Sequence, residues 1–226
     1  MSNYKIGLIH ATLNSIEPLI NAFEKNFPQV ETINFLDEGL LIELNRHGQL
    51  TENLIDRISE LLQKAINTGV DGILLSCSSY SPAITKLRKR FPEVPVENVD
   101  DEMILEAIKK GKKIGVVATV AAAGPTTQKT VLEKAKLLNK DVEVFVETNI
   151  EAFTALNDKE YDKHDILISE LVNKLINEKN IDVVILAQLS MARAKNKLQN
   201  VEIPILTSPE ISSRAIVDKV IKKVVR

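Results

Sequence analysis

Eight short apolar runs, rich in β-branched residues and bounded by turn formers, alternate along the chain with longer stretches of helical period. That alternation predicts parallel β-α-β units. Strands are expected over residues 4–10, 29–35, 72–77, 94–98, 113–119, 142–147, 181–187 and 203–207. Helices are expected over 14–26, 51–68, 81–90, 100–110, 126–138, 161–179 and 209–224. Helix punctuation agrees with this reading. Thr51-Glu52-Asn53 and Asp100-Asp101-Glu102 put capping and acidic residues at helix starts, and Gly69 and Gly111 suit helix ends.

The pattern also repeats. Lys5-Ile6-Gly7-Leu8-Ile9-His10-Ala11-Thr12 matches Lys113-Ile114-Gly115-Val116-Val117-Ala118-Thr119 with one residue missing. Leu74-Leu75-Ser76-Cys77 matches Ile185-Leu186-Ala187-Gln188, and Val94-Pro95-Val96-Glu97 matches Ile203-Pro204-Ile205-Leu206. The three offsets are 108, 111 and 109 residues. The expected fold class is therefore α/β, with two pseudo-symmetric lobes from an internal duplication, each a mainly parallel sheet flanked by helices. Residues 1–98 with the C-terminal helix 209–226 would form the first lobe, and residues 99–208 the second, with no Gly/Ser linker between them. Ligands of open parallel sheets bind beyond the C-terminal strand ends. Those ends carry Thr12, Cys77, Thr119 and Gln188, expected to face one cleft.

Composition narrows the function classes. A chain of 226 residues is long enough for two lobes, burying about 70% of its unfolded surface. Net charge is −2, the basic residues are dispersed and tryptophan is absent, so no nucleic-acid partner is expected. The N-terminus enters a strand without a signal-peptide layout, and the nearly apolar run 114–124 is too short to span a bilayer. The expectation is a soluble cytoplasmic protein without a membrane partner. One cysteine permits neither an internal disulfide nor a multi-cysteine zinc site. His47 and His164 have no second histidine at ligand spacing, so no metal site is expected.

The candidate chemistry centres on Cys77, set in Ser76-Cys77-Ser78-Ser79 between a strand and a helix start. Backbone N–H groups there favour a thiolate; the bland alternative is a small buried hydrophobe. Ser78, Ser79, Thr119, Thr126 and Thr127 are candidate anion-binding hydroxyls, or else plain helix caps. His10, ending the first strand, is either a base or orienting group or an internally hydrogen-bonded histidine. Asp37 and Glu38 point into the cleft or are solvated loop acids, and Asn45-Arg46-His47-Gly48 reads as a loop. The segment 219–226 reads as a cationic helix end and not as a membrane anchor.

These residues resemble the aspartate/glutamate/hydantoin racemase superfamily. The resemblance rests on the first-strand run, on Ser76-Cys77-Ser78-Ser79 and on Ile114-Gly115-Val116-Val117-Ala118-Thr119. It extends through Phe153-Thr154-Ala155-Leu156, Tyr161-Asp162-Lys163-His164-Asp165, Leu186-Ala187-Gln188-Leu189-Ser190-Met191-Ala192-Arg193 and Ile205-Leu206-Thr207-Ser208-Pro209-Glu210. It implies two α/β lobes with a small carboxylate substrate between them, no cofactor or metal, and a homodimer. Cys77 matches the first-lobe catalytic cysteine. The substrate-binding set would be His10, Thr12, Ser78, Ser79, Thr119 and Ser190. Gln188 occupies the place of the second catalytic cysteine, and that departs from the family pattern.

Glutamine neither gives up nor accepts a proton near neutral pH, so racemisation by two thiols is not available. The superfamily also resembles cofactor-free decarboxylases with a single cysteine, which carry it in the second lobe, and maleate isomerases, which keep both thiols. The expected function is a cofactor-independent racemase, isomerase or decarboxylase/lyase acting next to a carboxylate through Cys77. The alternative is a carboxylate-binding or regulatory protein on the same fold.

Overall fold

A computed structural model describes residues 4–224. The described residues up to Asp101, together with those from Pro209 onward, form one compact unit, and Glu102–Ser208 form the other. The first unit contains β1 (Lys5–His10), α1 (Ile16–Asn26), β2 (Glu31–Leu36), α2 (Gly39–His47), α3 (Glu52–Asn67), β3 (Gly72–Leu75), α4 (Ile84–Arg90) and β4 (Val96–Asn98). Next in the chain come α5 (Asp101–Lys110), β5 (Lys113–Ala118), α6 (Ala123–Leu137), β6 (Glu143–Thr148), α7 (Ile150–Asn157), α8 (Tyr161–Lys179), β7 (Val183–Leu186) and β8 (Ile205–Thr207). The last helix, α9 (Ser208–Val224), packs in the first unit.

Both sheets are parallel and have the same topology, β2-β1-β3-β4 and β6-β5-β7-β8. Their registers also agree. Ile9 pairs with Leu75 in the first sheet, and Val117 pairs with Leu186 in the second. The Ser76 amide donates to Ile9 O at 2.9 Å, and the Ala187 amide donates to Val117 O at 2.9 Å. Ile73 donates to Pro95 O and Val184 to Pro204 O, again in matching places. Two α/β units with one register are what the repeated motifs predict.

The central strands are buried on both faces and so read as continuous apolar runs, whereas the edge strands β2 and β6 are only partly buried. Helix α3 buries Leu54, Ile55, Ile58, Leu61, Leu62 and Ala65, a single face at helical spacing. Its start is capped by Thr51, whose hydroxyl oxygen accepts from the Leu54 amide at 3.3 Å. Helix α9 lies close on β3: a Cβ at Gly72 would sit 2.7 Å from Val220 Cγ2.

Each sheet carries an aspartate that fixes where its first strand begins. Asp71 accepts from the Lys5 amide at 2.8 Å, and Asp182 accepts from the Lys112 and Lys113 amides at 2.8 and 2.9 Å. This second clamp explains Gly111. Its φ is not positive, so the helix-stop reading is not the physical reason for a glycine there. A Cβ at Gly111 would lie 2.2 Å from Asp182 Cβ. Gly111→Ala is expected to cost about 1–3 kcal/mol of stability, measured as a lower urea midpoint with unchanged slope.

Several expected boundaries differ for physical reasons. Helix α2 replaces the expected loop around His47; it begins at Gly39, where a Cβ would lie 2.3 Å from Arg57 Nη2. Arg57 grips Asp37 with Nε and Nη2 at 2.6 and 2.7 Å and Glu43 with Nη1 at 2.7 Å. Asp37 is thus a structural partner and not a solvated loop acid. Helix α6 starts at Ala123, before Thr126, and Gly124 lets it pack closely on Val146. Thr126 therefore donates to the Ala122 carbonyl at 2.7 Å, and Thr127 is buried within the helix, so neither hydroxyl caps it. Among the described residues, no helix is long and apolar enough to cross a membrane.

Candidate active site

Strand β3 ends at Leu75, and Cys77 is the residue that opens the 3₁₀ segment Ser78–Ala83. Parallel sheets leave backbone groups unpaired at such an end, and here they converge on sulfur. The Ser79 N–H and hydroxyl stabilise a Cys77 thiolate, with a smaller contribution from the Tyr80 N–H, which donates to the Cys77 carbonyl at 3.1 Å. Burial opposes them and is stronger; with the nearby Asp100 carboxylate acting in the same direction, the thiol is pushed up to about 11. The thiolate expected from the sequence is therefore corrected: in the free protein Cys77 is a thiol at neutral pH. Cys77 keeps some exposure while packing against the apolar cluster of its unit, so it is neither a wholly buried hydrophobe nor a free surface thiol.

Alkylation reads this directly, because the chain has one cysteine. Wild-type protein is expected to react slowly with iodoacetamide at neutral pH. The rate should rise about tenfold per pH unit, as thiolate-limited chemistry requires, and level off near pH 11. A plateau already reached at neutral pH would contradict this assignment.

His10 is fully buried, with Nδ1 2.8 Å from Ser15 Oγ and Nε2 2.9 Å from Asn34 Oδ1. Burial lowers its pKa, only partly offset by the bond to Asn34. Both ring nitrogens are thus occupied by partners at the end of β1 and on β2. Ser15 Oγ also donates to the Thr12 carbonyl at 2.7 Å and accepts from the Ser76 hydroxyl at 3.1 Å. The Thr12 side chain makes no capping bond and is half-buried. Ser78 and Ser79 are half-buried beside Cys77.

In the second unit the equivalent strand end carries Gln188, which opens the 3₁₀ segment Leu189–Leu198. Thr119 is fully buried, and both of its donors go to Gln188 Oε1, the amide at 2.7 Å and the hydroxyl at 3.1 Å. Thr119 therefore orients Gln188. With its oxygen engaged, Gln188 has only amide N–H groups to offer. Ser190 lies half-buried two residues further on.

Sequence reasoning missed three features. Asn98, the last residue of β4, and Asp100 just beyond it border Cys77: Asn98 Nδ2 donates to the Cys77 carbonyl at 3.4 Å and its Oδ1 accepts from the Asp100 amide at 2.9 Å. Asp100 had been read only as a helix-start residue. The Tyr80 hydroxyl is buried without a hydrogen-bond partner, and burial and then Cys77 hold it neutral. In the second unit, Arg193 Nε donates to Asp165 at 2.9 and 3.2 Å, with its guanidinium 4.2 Å from the Tyr161 ring centroid. That pair fastens the 3₁₀ segment after Gln188 to α8, where His164 Nδ1 lies 2.7 Å from the same carboxylate.

Paired parallel α/β units with polar strand ends, one of them bearing a thiol, define a racemase-type architecture. The chain belongs to the Asp/Glu/hydantoin racemase family, whose model matches residues 12–216. Among solved structures, it is similar to glutamate racemase from Francisella tularensis in complex with D-glutamate. That match has a TM-score of 0.72 and 15% identity, covering 99% of this chain and 83% of the other. It is also similar to Picrophilus torridus aspartate racemase, with a TM-score of 0.70 and 16% identity over 96% of this chain and 94% of that one. A glutamate racemase of Trichodesmium erythraeum is 27% identical over 120 residues, which is 53% of this chain and 43% of that protein. The chain thus matches less than half the length of that curated relative.

Proposed function

We propose that this family member is a cofactor-independent enzyme that transfers a proton at the carbon next to a carboxylate of a small acid, with Cys77 as its only acid–base thiol. One observation carries the reading. The two units repeat the same strand end, yet one presents a protonated thiol and the other an amide whose oxygen is held by Thr119. A thiol of raised pKa suits proton donation to a carbanion better than proton abstraction. That supports protonation chemistry of the decarboxylase, lyase or isomerase type over two-thiol racemisation. The names of the similar proteins support an amino-acid or related small-acid substrate class.

Ser78 and Ser79 are proposed to hold the carboxylate beside Cys77, with Thr12 and Ser190 as further polar contacts. A panel of small 2-substituted mono- and dicarboxylates, incubated with the protein in D₂O, tests the reading. The expected result is a product carrying deuterium at the carbon next to the carboxylate, formed by wild type and not by Cys77→Ala. Labelled product formed equally by both would overturn it. Protection of Cys77 from alkylation by a carboxylate, without any turnover, would favour the binding protein instead. The raised thiol pKa in the free protein is the observation that keeps that second reading in play.

A further inference from the structure

The second unit holds a buried histidine that the proposed chemistry does not use. His164 is fully buried, and so nearly is Asp165, the next residue of α8. One carboxylate serves two partners there: Asp165 Oδ1 lies 2.7 Å from His164 Nδ1 and accepts from Arg193 Nε at 2.9 Å. A carboxylate paired with Arg193 can only accept, so Nδ1 carries the imidazole proton and Nε2 keeps its lone pair. Nε2 is buried without a hydrogen-bond partner. A neutral ring nitrogen tolerates that position. A second N–H does not, because it would bury a positive charge with a donor unsatisfied. Protonation therefore favours any state in which Nε2 meets water. The element that must move is set by the same carboxylate, since Arg193 belongs to the 3₁₀ segment Leu189–Leu198 that follows Gln188. Met191, Ala194 and Leu198 of that segment stay anchored in the apolar core, so the opening is local.

We propose that His164 is an acid-sensitive latch on the segment after Gln188: when Nε2 gains a proton, α8 and the 3₁₀ segment part around Asp165 and Arg193. Burial lowers the pKa of His164, the bond and charge of Asp165 offset part of that, and Arg193 lowers it again. The closed, neutral form is thus fully favoured above 6.5 and loses stability as pH falls below 6.5 towards the depressed value. Asp165 from α8 and Arg193 from the 3₁₀ segment are the charges that face the ring. Other charges on the elements packed against α8 are engaged elsewhere. Lys163 pairs with Glu151 of α7 and with Glu160, Lys174 with Glu147 of β6, and Lys197 of the 3₁₀ segment with Asp162. Lys195 is exposed, and Lys113 of β5 and Glu143 of β6 lie at the far end of α8, where Asp182 holds the Lys113 amide. His10 is buried too, but it belongs to the other unit and has partners on both ring nitrogens.

The test needs no substrate, so it stands apart from the proposed activity. Hydrogen exchange of the full chain is resolved by segment and corrected for the intrinsic pH dependence of exchange. Between about pH 7.5 and about pH 5.5, the open population over residues 161–168 and 189–198 is expected to rise about tenfold. That is the rise one proton produces when the open state titrates near 6.5. His164→Asn keeps a donor for Asp165 but takes up no proton, so its exchange is expected to stay level over the same range. No rise in wild type, an equal rise in His164→Asn, or a rise of the same size in first-unit segments would overturn the proposal. Should His164→Asn fail to fold, wild type still decides through the titration of its His164 ring protons by NMR. A midpoint below 6.5 is expected, and one at or above 6.5 would overturn the latch.

Discussion

Cys77→Ala is expected to abolish turnover while leaving the fold intact. The substitution removes one sulfur atom from a half-buried position, and the packing loss against the first-unit core should cost no more than about 1 kcal/mol. Losing the group that delivers the proton is a much larger effect, a fall of about 10²–10⁴-fold in rate. Cys77→Ser should not rescue activity, because a hydroxyl holds its proton far more tightly than a thiol while keeping the same hydrogen-bond partners. The pH profile has a defined sign. A thiol acting as acid is competent below its pKa, so its contribution should persist through neutral pH and be lost near pH 11. Stability follows the same direction: the raised pKa favours the folded state below about 9.0, and that contribution disappears as pH rises towards about 11. Activity of Cys77→Ala within a few fold of wild type, measured on protein of unchanged urea midpoint, would remove Cys77 from the mechanism.

Much of this architecture was legible in the chain because parallel strands buried on both faces must be continuously apolar, as in Gly72–Leu75 and Val183–Leu186. Each of the eight expected strands has a counterpart in the two sheets. The overlooked helices, α2 and α7, are short. Helix α2 buries only Leu40 and starts with a glycine packed against the Arg57 guanidinium. Helix α7 spans only eight residues; it buries Ala152, Ala155 and Leu156 and is capped by Asn149, whose side chain accepts from the Ala152 amide at 3.2 Å. The 3₁₀ segment Leu189–Leu198 is held by the Arg193–Asp165 pair, a contact across 28 residues that periodicity does not register.

The site was legible in a different way. Residue types and strand-end positions marked Cys77, Thr119 and Gln188, but not what their donors do. That Thr119 commits both donors to one oxygen of Gln188, and that His10 has both nitrogens occupied, depends on angles and distances beyond local sequence. The protonation state of Cys77 was misjudged for a related reason. The favourable N–H groups are visible in Ser76-Cys77-Ser78-Ser79, whereas the desolvation and the Asp100 charge that outweigh them come from packing.

The missing second thiol leads to the other large expectation, negligible racemisation of aspartate and glutamate. Inversion by two bases needs an acid and a base on opposite faces of the α-carbon, each with a pKa near the working pH. Gln188 supplies neither. His10, the nearest alternative by sequence, is fully buried and engaged by Ser15 and Asn34. Deuterium wash-in at the α-carbon of each enantiomer of aspartate and glutamate, followed by chiral analysis, is the most direct measurement. Neither inversion nor rapid exchange above the Cys77→Ala background is predicted. Fast exchange with inversion from both enantiomers would contradict the single-thiol account and require a second acid–base group.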